Sequence, residues 1–222
     1  MSENHMAGAY TKGKYKPCSY KVNETPLPNI LNREFNGYRP HAHIASDLTY
    51  VKVAGRWRYV CLLIDLHNRV IAGHSAGADR DADLVKAAFA TLRFPLSDIE
   101  VFHTDRGSEF DNMKIDMLLD VFDIQRSLSR KGNPYDNAVV ESTNQLLKRE
   151  LIYRQRYTTL EQLRAELTAY IWLYNHERVH STLNYQTPTE HTQQHPPPQH
   201  SPTNSCQSTR IIVPATPGRP RV

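Results

Sequence analysis

The chain has 222 residues, of which 39% are hydrophobic and 23% are charged, and its formal net charge is +4. This length is enough for one domain with a packed core and flanking segments. No run is apolar enough to predict a membrane span or a signal peptide, and the three cysteines form no CxxC pair. We therefore expect a cytoplasmic globular protein without a clustered zinc site.

The charge is distributed unevenly. Residues 1–40 carry six basic and three acidic side chains, residues 41–190 carry 18 and 20, and residues 191–222 carry three and none. Basic arms suit a polyanionic partner such as DNA, although solvated tails are often charged as well. We expect a basic, largely disordered linker over 1–40, a folded core over 41–190, and a disordered tail rich in Pro, Gln, His and Ser over 191–222.

The sequence of residues 41–190 predicts consecutive strands first, followed by alternating helices and strands. Three strands between about residues 43 and 76 are joined by short turns, which predicts an antiparallel meander. Helices that cross between later strands imply parallel pairing, so an α/β fold with a mixed five-stranded sheet flanked by helices is expected. The later elements are predicted as helix 83–94, a strand ending at 105, helix 109–122, strand 124–129, and helices 137–153 and 159–176.

Three carboxylates are candidates for chemistry. Asp47 lies inside a run of strand composition, where an aspartate is costly to bury unless it is paired or binds a metal. Asp105 ends a short apolar strand, and the crevice at the carboxyl end of such strands is where α/β proteins bind ligands. The alternatives are an edge strand with Asp47 facing water and a turn or helix N-cap at Asp105.

The third candidate, Glu141, lies near the start of a long amphipathic helix. Its helical spacing puts it on a polar face that points away from the core, together with Asn144, Gln145, Lys148 and Ile152. A first-turn acid favoured by the helix dipole is the alternative interpretation. Taken together, Asp47, Asp105 and Glu141 suggest a site for two Mg²⁺ (or Mn²⁺) ions, because hard cations prefer oxygen ligands and paired ions promote phosphoryl displacement.

Two segments carry a family resemblance. Both resemble motifs of retroviral integrases and insertion-sequence transposases. The second-aspartate motif of that family resembles HTDRGSEF at 103–110, and its glutamate-helix motif resembles NPYDNAVVESTNQLLKRE at 133–150. The 35 residues between Asp105 and Glu141 match the family spacing, and GRWRYVCLLIDLHNRVIAGHSAG and YNHERVHSTLNYQTPTE extend the resemblance over about residues 20 to 190. It implies a ribonuclease H-like fold and metal-dependent DNA cleavage and strand transfer at Asp47, Asp105 and Glu141.

The resemblance also implies DNA contacts near the glutamate helix. A basic loop before Glu141 suits a mobile segment that orders over a DNA end, although an ordinary surface loop is the alternative. The implied contacts are Arg130, Lys131, Asn137, Asn144 and Lys148.

Partners and alternatives follow from the same resemblance. We expect element ends and target DNA as partners, a homo-multimer, and a DNA-binding partner from an upstream reading frame. His103, in the first motif, is expected to be structural or to support the site rather than to carry a proton. A truncated, inactive DNA-binding remnant and a ribonuclease H-like nuclease acting on RNA–DNA hybrids are the alternatives.

Overall fold

A computed structural model describes residues 27–130 and 132–196. It contains one five-stranded sheet with the order β3-β2-β1-β4-β5. The first three strands are antiparallel, and β4 and β5 pair in parallel with β1 and with each other, as predicted. The strands are β1 His43–Val53, β2 Arg56–Asp65, β3 Ile71–Gly77, β4 Val101–Thr104 and β5 Gln125–Leu128.

Helices cover both faces of the sheet. One face packs against α1 and α2 through an apolar cluster that includes Ile44 and Phe102, and the other packs against α3 and α4 through Ala45 and Leu147. Successive residues of β1 therefore alternate between two cores, as side chains on a pleated strand must. The helices are α1 Ala82–Phe89, α2 Met113–Val121, α3 Ala138–Glu150, α4 Leu160–His176 and α5 Pro188–Gln194.

Three helices are shorter than the sequence predicts: α3, expected over 137–153, is Ala138–Glu150, and α1 and α2 are shortened as well. The helix expected over 83–94 ends at Phe89, where the Thr91 hydroxyl donates to the Ala88 carbonyl and competes with helical pairing. The helix expected from 109 begins at Met113, because Asn112 caps it by accepting from the Ile115 N–H. The residues between Asp105 and α2 are consequently free to form a separate turn beside the site.

The central strand β1 has an unusual edge. It pairs with β2 along nearly its whole length, but its parallel pairing with β4 involves only His43, Ile44 and Ala45. Beyond Ala45 the two strands diverge, and on that side β1 next meets a neighbour at Val53, which bridges Tyr157, while the Ala54 N–H donates to the Tyr157 carbonyl at 2.9 Å. Its tip, Ala54-Gly55, has positive φ at both residues, which matches a tight two-residue hairpin turn.

Residues 27–40, which the sequence analysis assigned to the linker, lie against the sheet. Pro28 accepts from the Leu128 N–H, the Ile30 N–H donates to the Ser127 hydroxyl at 2.9 Å, and Leu31 is buried. At the other end, α5 extends past residue 190 to Gln194. The remaining parts of the predicted linker and tail, 1–26 and 197–222, lie outside the described residues.

Candidate active site

Asp47 lies on the central strand, just past the point where β1 leaves β4. Its Oδ1 accepts from the Leu48 N–H at 2.8 Å, and its Oδ2 accepts from Asn144 Nδ2 at 3.1 Å. The strand is flanked by β2 and β4, so the alternative of an edge strand facing water is wrong. Asp47 instead points toward α3, in the space opened by the divergence of the two strands.

Asp105 directly follows β4 and shapes the next turn. Its Oδ1 accepts from the Gly107 N–H at 2.9 Å, while Asn112 is the residue that caps α2. Asp105 therefore does form a turn, which is compatible with the functional role predicted for it. The alternative that Asp105 is a helix N-cap is wrong. A single oxygen satisfies the turn, which leaves the second oxygen of this carboxylate available to a ligand.

Glu141 lies in the first turn of α3 and is half-buried, so the expectation that its helix face points away from the core is wrong. Asn144 on that face is 4% exposed, and Ile152, which follows α3 in a separate turn, is also buried. The reason is that α3 crosses over β1, which brings its polar side onto the strand that carries Asp47. Helical periodicity predicts which residues share a face of α3, but not which element that face packs against.

The three carboxylates lie close enough to repel one another. Burial and then the charge of Asp105 raise the pKa of Asp47 to about 7, with a smaller increase from Glu141, although hydrogen bonds from Leu48 and Asn144 act in the opposite direction. Burial and the charge of Asp105 also raise the pKa of Glu141. Each pair of the triad is thus in electrostatic contact, which shows a site with an excess of negative charge.

Two asparagines of the predicted DNA-contact set have partners inside the protein. Asn144 donates to Asp47, and Asn137 Nδ2 donates to the Ser46 carbonyl at 3.2 Å. Both side chains are buried, and the Oδ1 of each has no hydrogen-bond partner among the described residues. The two residues therefore connect the start of α3 to the part of β1 that carries Asp47.

The loop before Glu141 is fixed by a buried carboxylate that sequence reasoning missed. Asp136 is fully buried, accepts from Arg33 Nε at 2.9 Å, and accepts from the Arg130 N–H at 3.0 Å. Burial acts to raise its pKa, but these hydrogen bonds and one from Asn29 outweigh burial, so the pKa of Asp136 is lowered.

His103 supports the same loop. Its Nε2–H donates to the Asp136 carbonyl at 2.9 Å, so its Nδ1 accepts from the Ser127 hydroxyl at 2.8 Å. Burial lowers the pKa of His103 to about 4, despite the opposing hydrogen bond and charge of Asp136. A neutral, buried ring with both nitrogens engaged fits the structural role predicted from the sequence.

A second ion pair beside the triad also escaped prediction. Glu109 is buried, and its Oε1 lies 2.6 Å from Arg80 Nη2 and 2.8 Å from Arg80 Nε. Burial acts to lower the pKa of Arg80, but the hydrogen bond and charge of Glu109, together with the charges of Asp105 and Asp47, raise it. A cation therefore lies within electrostatic reach of two of the three carboxylates.

Of the basic residues in the predicted DNA-contact set, Arg130 lies at the surface and Lys148 is partly buried. The Arg130 side chain is 51% exposed, and Lys148 lies two turns after Glu141 on α3. Lys131 lies outside the described residues.

Within the described ranges, no helix is long and apolar enough to cross a membrane.

Comparison with known proteins decides the family. Models of the integrase core domain match residues 37–134 and 122–188. The transposase for insertion sequence element IS904 of Lactococcus lactis is 34% identical over 193 residues, which cover 84% of this chain and 76% of the relative. The chain belongs to the insertion-sequence transposases. This membership confirms the resemblance stated above and makes the enzyme class that of polynucleotidyl transferases, which cleave and join DNA.

Other relatives agree with this assignment. The putative transposase InsK for insertion sequence element IS150 of Escherichia coli is 32% identical, covering 82% of this transposase and 64% of the relative. The transposase InsF for insertion sequence IS3A of the same species is 33% identical, covering 76% and 60%. This chain thus spans less than two thirds of the length of these two relatives.

Solved structures confirm the ribonuclease H-like fold. The simian T-cell lymphotropic virus intasome in complex with PP2A regulatory subunit B56 gamma matches with a TM-score of 0.57 and 18% identity, over 84% of this chain and 61% of that one. The HTLV-2 integrase catalytic core domain in complex with magnesium, in a trimeric form, gives 0.52 and 18%, over 69% and 97%.

Proposed function

We propose that this transposase core cleaves a DNA strand and transfers the freed 3′ end to a second DNA, with Asp47, Asp105 and Glu141 as its catalytic residues. The observation that carries the proposal is the mutual repulsion of the three carboxylates, each of which is held by a different element around the open edge of β1. A cluster of this kind is costly unless a cation compensates it.

The donor set fits divalent metal ions. All three ligands are carboxylates, which suits Mg²⁺ or Mn²⁺, and the pKa values of Asp47 and Glu141 are raised first by burial and then by the neighbouring carboxylates, a penalty that a bound cation would offset. Within residues 27–130 and 132–196, no group of three His, Cys, Asp or Glu side chains is arranged closely enough in this structure to hold a metal ion. The proposal therefore includes a small inward movement of the carboxylates on binding. The HTLV-2 integrase core was solved with magnesium.

Each residue near the triad has a defined part in this proposal. Divalent ions held by Asp47, Asp105 and Glu141 would supply the positive charge that favours both the attacking and the leaving oxygen. Asn144 holds Asp47 by donating to its carboxylate, and Asn137 fixes the start of α3 to β1. The neutral His103 moves no proton, because burial keeps it uncharged and both of its nitrogens are engaged.

DNA is held by the surface around the triad. Arg130 and Lys148 lie on either side of the Glu141 turn in sequence, and both are available to phosphate oxygens. Two element ends have to be brought together for joining, so the working form is a homo-multimer. A DNA-binding partner from an upstream reading frame would supply recognition of the ends.

The test is strand cleavage and joining by the full 222-residue chain. Labelled duplexes copied from the DNA that flanks the gene are incubated with supercoiled plasmid in Mg²⁺, Mn²⁺ or EDTA. We expect metal-dependent nicked and joined products that disappear in Asp47→Asn, Asp105→Asn and Glu141→Gln. Asp116→Asn, which alters a half-exposed carboxylate on α2 away from the triad, is the matched control and should retain the products.

Two outcomes would count against the proposal. Full activity of Asp105→Asn would remove the assignment of the triad. Absence of products from the wild type, with Mg²⁺ still binding it and not Asp105→Asn, would support an intact metal site in a remnant that lacks its recognition half.

A further inference from the structure

The β1–β2 hairpin presents an aromatic face beside the active site. Tyr50 pairs across the hairpin with Tyr59, and Lys52 pairs with Trp57. Directly opposed residues of antiparallel strands share one face, and so do residues two apart, which puts all four side chains on the same side. Asp47 is an odd number of residues from Tyr50 and so projects from the opposite face of β1, and Lys148 of α3 links the two sides across the stretch of edge that β4 leaves beyond Ala45.

Two of these aromatic rings are exposed. Tyr50 is 55% exposed and Trp57 is 53% exposed, with ring centroids 5.1 Å apart and an interplanar angle of 88°. Side chains of this size contribute most to a core or an interface when they are covered. Their edge-to-face packing leaves flat ring surface available to another planar group.

Each ring has a lysine over one of its faces. Lys148 Nζ lies 5.0 Å from the centroid of the Tyr50 ring, and Lys52 Nζ lies 5.8 Å from that of Trp57. Neither lysine takes part in the salt bridges found among residues 27–130 and 132–196. The patch of Tyr50, Trp57, Lys52 and Lys148, here called the hairpin platform, thus combines aromatic faces with uncompensated positive charge.

The hairpin platform is linked to the triad most directly through α3. Along β1, Tyr50 is three residues from Asp47, about 10 Å at a strand rise of about 3.3 Å, with its side chain on the opposite face of the strand. Lys148 is seven residues from Glu141 on α3, also about 10 Å at about 1.5 Å per residue. This span equals about three nucleotide steps of B-form DNA.

We propose that the hairpin platform binds an unpaired DNA base, with its phosphate, about three nucleotides from the bond that reacts. An aromatic face stacks only on a base that has left the duplex, and lysines neutralise the phosphates beside it. The centres of protein–protein interfaces are depleted in lysine. A patch with two free lysines at its centre therefore fits a polyanion as its occupant better than another protein. This inference rests on the proposed function and specifies where its substrate is held.

Binding is measured in EDTA, which stops cleavage, with two labelled DNAs: a blunt duplex and the same duplex with a three-nucleotide single-stranded end. We expect the wild type to prefer the single-stranded end. Tyr50→Ala should lower affinity for that DNA about tenfold and change blunt-duplex binding less than about twofold, whereas Tyr50→Phe keeps the ring and the preference. Tyr185→Ala removes a tyrosine that is 75% exposed elsewhere and is the matched control.

Trp57 also provides a direct signal. The chain has two tryptophans, so in a Trp172→Phe background all tryptophan emission comes from Trp57. We expect quenching by the single-stranded end and little by the blunt duplex. Lys148→Gln should reduce the slope of log affinity against log salt by about one.

The outcomes separate this inference from the proposed function. Equal losses on both DNAs in Tyr50→Ala, or no loss on either, would overturn the platform while leaving cleavage by the triad untouched. A change in the self-association of Tyr50→Ala without a change in DNA preference would assign the patch to a protein contact and also overturn it. Asp105→Asn should keep the preference, and a wild type that binds neither DNA would overturn both proposals.

Discussion

Arg33 donates its Nε–H to the buried carboxylate of Asp136, 2.9 Å away and five residues before Glu141. The same segment reaches the turn that follows β4, because Arg106, next to Asp105, donates from Nη2 to the Leu27 carbonyl and from Nε to the Ser129 carbonyl. Residues 27–33 therefore contact both the turn that contains Asp105 and the loop that precedes Glu141.

Loss of the Arg33 side chain should loosen the Glu141 loop. We expect Arg33→Gln to lower the free energy of unfolding by about 1 kcal/mol, since the arginine is half-exposed and Asp136 keeps its bond from the Arg130 backbone. The rate of strand joining by Arg33→Gln should fall by more than this change in stability explains. Arg33→Lys should retain part of the joining activity that Arg33→Gln loses. Thermal unfolding and single-turnover joining are measured side by side. Equal joining by Arg33→Gln and wild type would contradict the positioning role.

The crowded triad predicts that metal-free protein loses stability as pH rises. The pKa of Asp47 is raised to about 7 in the folded protein, so its contribution is complete below the unfolded pKa of about 3.9 and is lost as pH rises through about 7. Asp47→Asn should therefore stabilise the protein at pH 8 in EDTA by on the order of 3 kcal/mol and have little effect at pH 4.

This effect is measured as denaturant unfolding at both pH values. Added Mg²⁺ should raise the stability of the wild type at pH 8 and not that of Asp47→Asn. A destabilised Asp47→Asn at pH 8 would contradict the electrostatic account of the site.

Asn144 should tune the pH dependence of activity. Its hydrogen bond to Asp47 favours the charged carboxylate, so Asn144→Ala is expected to raise the pKa of Asp47 further. At a limiting Mg²⁺ concentration, the rise of joining activity with pH should then move to higher pH. Gln145→Ala, on the neighbouring exposed position, is the control. An unshifted profile with a uniformly lower rate would indicate a packing defect instead.

The Arg80–Glu109 pair should matter for stability and for the metal requirement. Arg80→Gln leaves Glu109 buried without its partner, which we expect to cost about 2 kcal/mol, less than a fully buried pair because Arg80 is half-exposed. It also removes a cation near Asp105 and Asp47, so the apparent Mg²⁺ affinity should rise. Unfolding and metal titration followed by activity test both parts.

The control for this pair is an exposed one. Lys114 and Asp83 form a bridge in which both side chains are 60% exposed, so Lys114→Gln should leave stability and metal affinity unchanged. Similar losses in Lys114→Gln and Arg80→Gln would show that the Arg80 effect is not specific to the site.

Gly107→Ala offers an independent test of the same region. A Cβ at Gly107 would lie 2.6 Å from the Glu109 carboxylate, which is buried and has little room to move. We expect loss of about 1–3 kcal/mol of stability and of the Arg80 contact, whereas Ser108→Ala at the exposed neighbouring position should be silent. A silent Gly107→Ala would show that Glu109 can relocate without consequence.

Sequence periodicity predicted the sheet well because its cues are local. Apolar runs, the Ala54-Gly55 turn and the helices between later strands determine pairing direction, and the five strands lie where they were expected. The triad remains a prediction, made from residue type and spacing together with the family resemblance. Distant partners were not predictable in the same way, since nothing local shows that Asp136 meets Arg33, 103 residues earlier, or that Arg80 meets Glu109.

The polar face of α3 shows where periodicity stops. Glu141 and Asn144 alternate with Val140 and Leu147 as expected of an amphipathic helix, and the sequence analysis placed that polar side in solvent. The helix crosses β1, so Asn144 is buried against a carboxylate instead. A buried polar residue with a charged partner has the same sequence pattern as an exposed one.

The hydrogen bond that joins α3 to β1 links residues 97 positions apart. During synthesis the ribosome releases the whole sheet before α3 emerges, and contacts of such large sequence separation form late in folding. A growing chain therefore has Asp47 and Asp105 but no complete triad until the glutamate helix has docked. On the proposed assignment of the triad, the capacity to cut DNA is acquired only after the sheet and α3 have both been made.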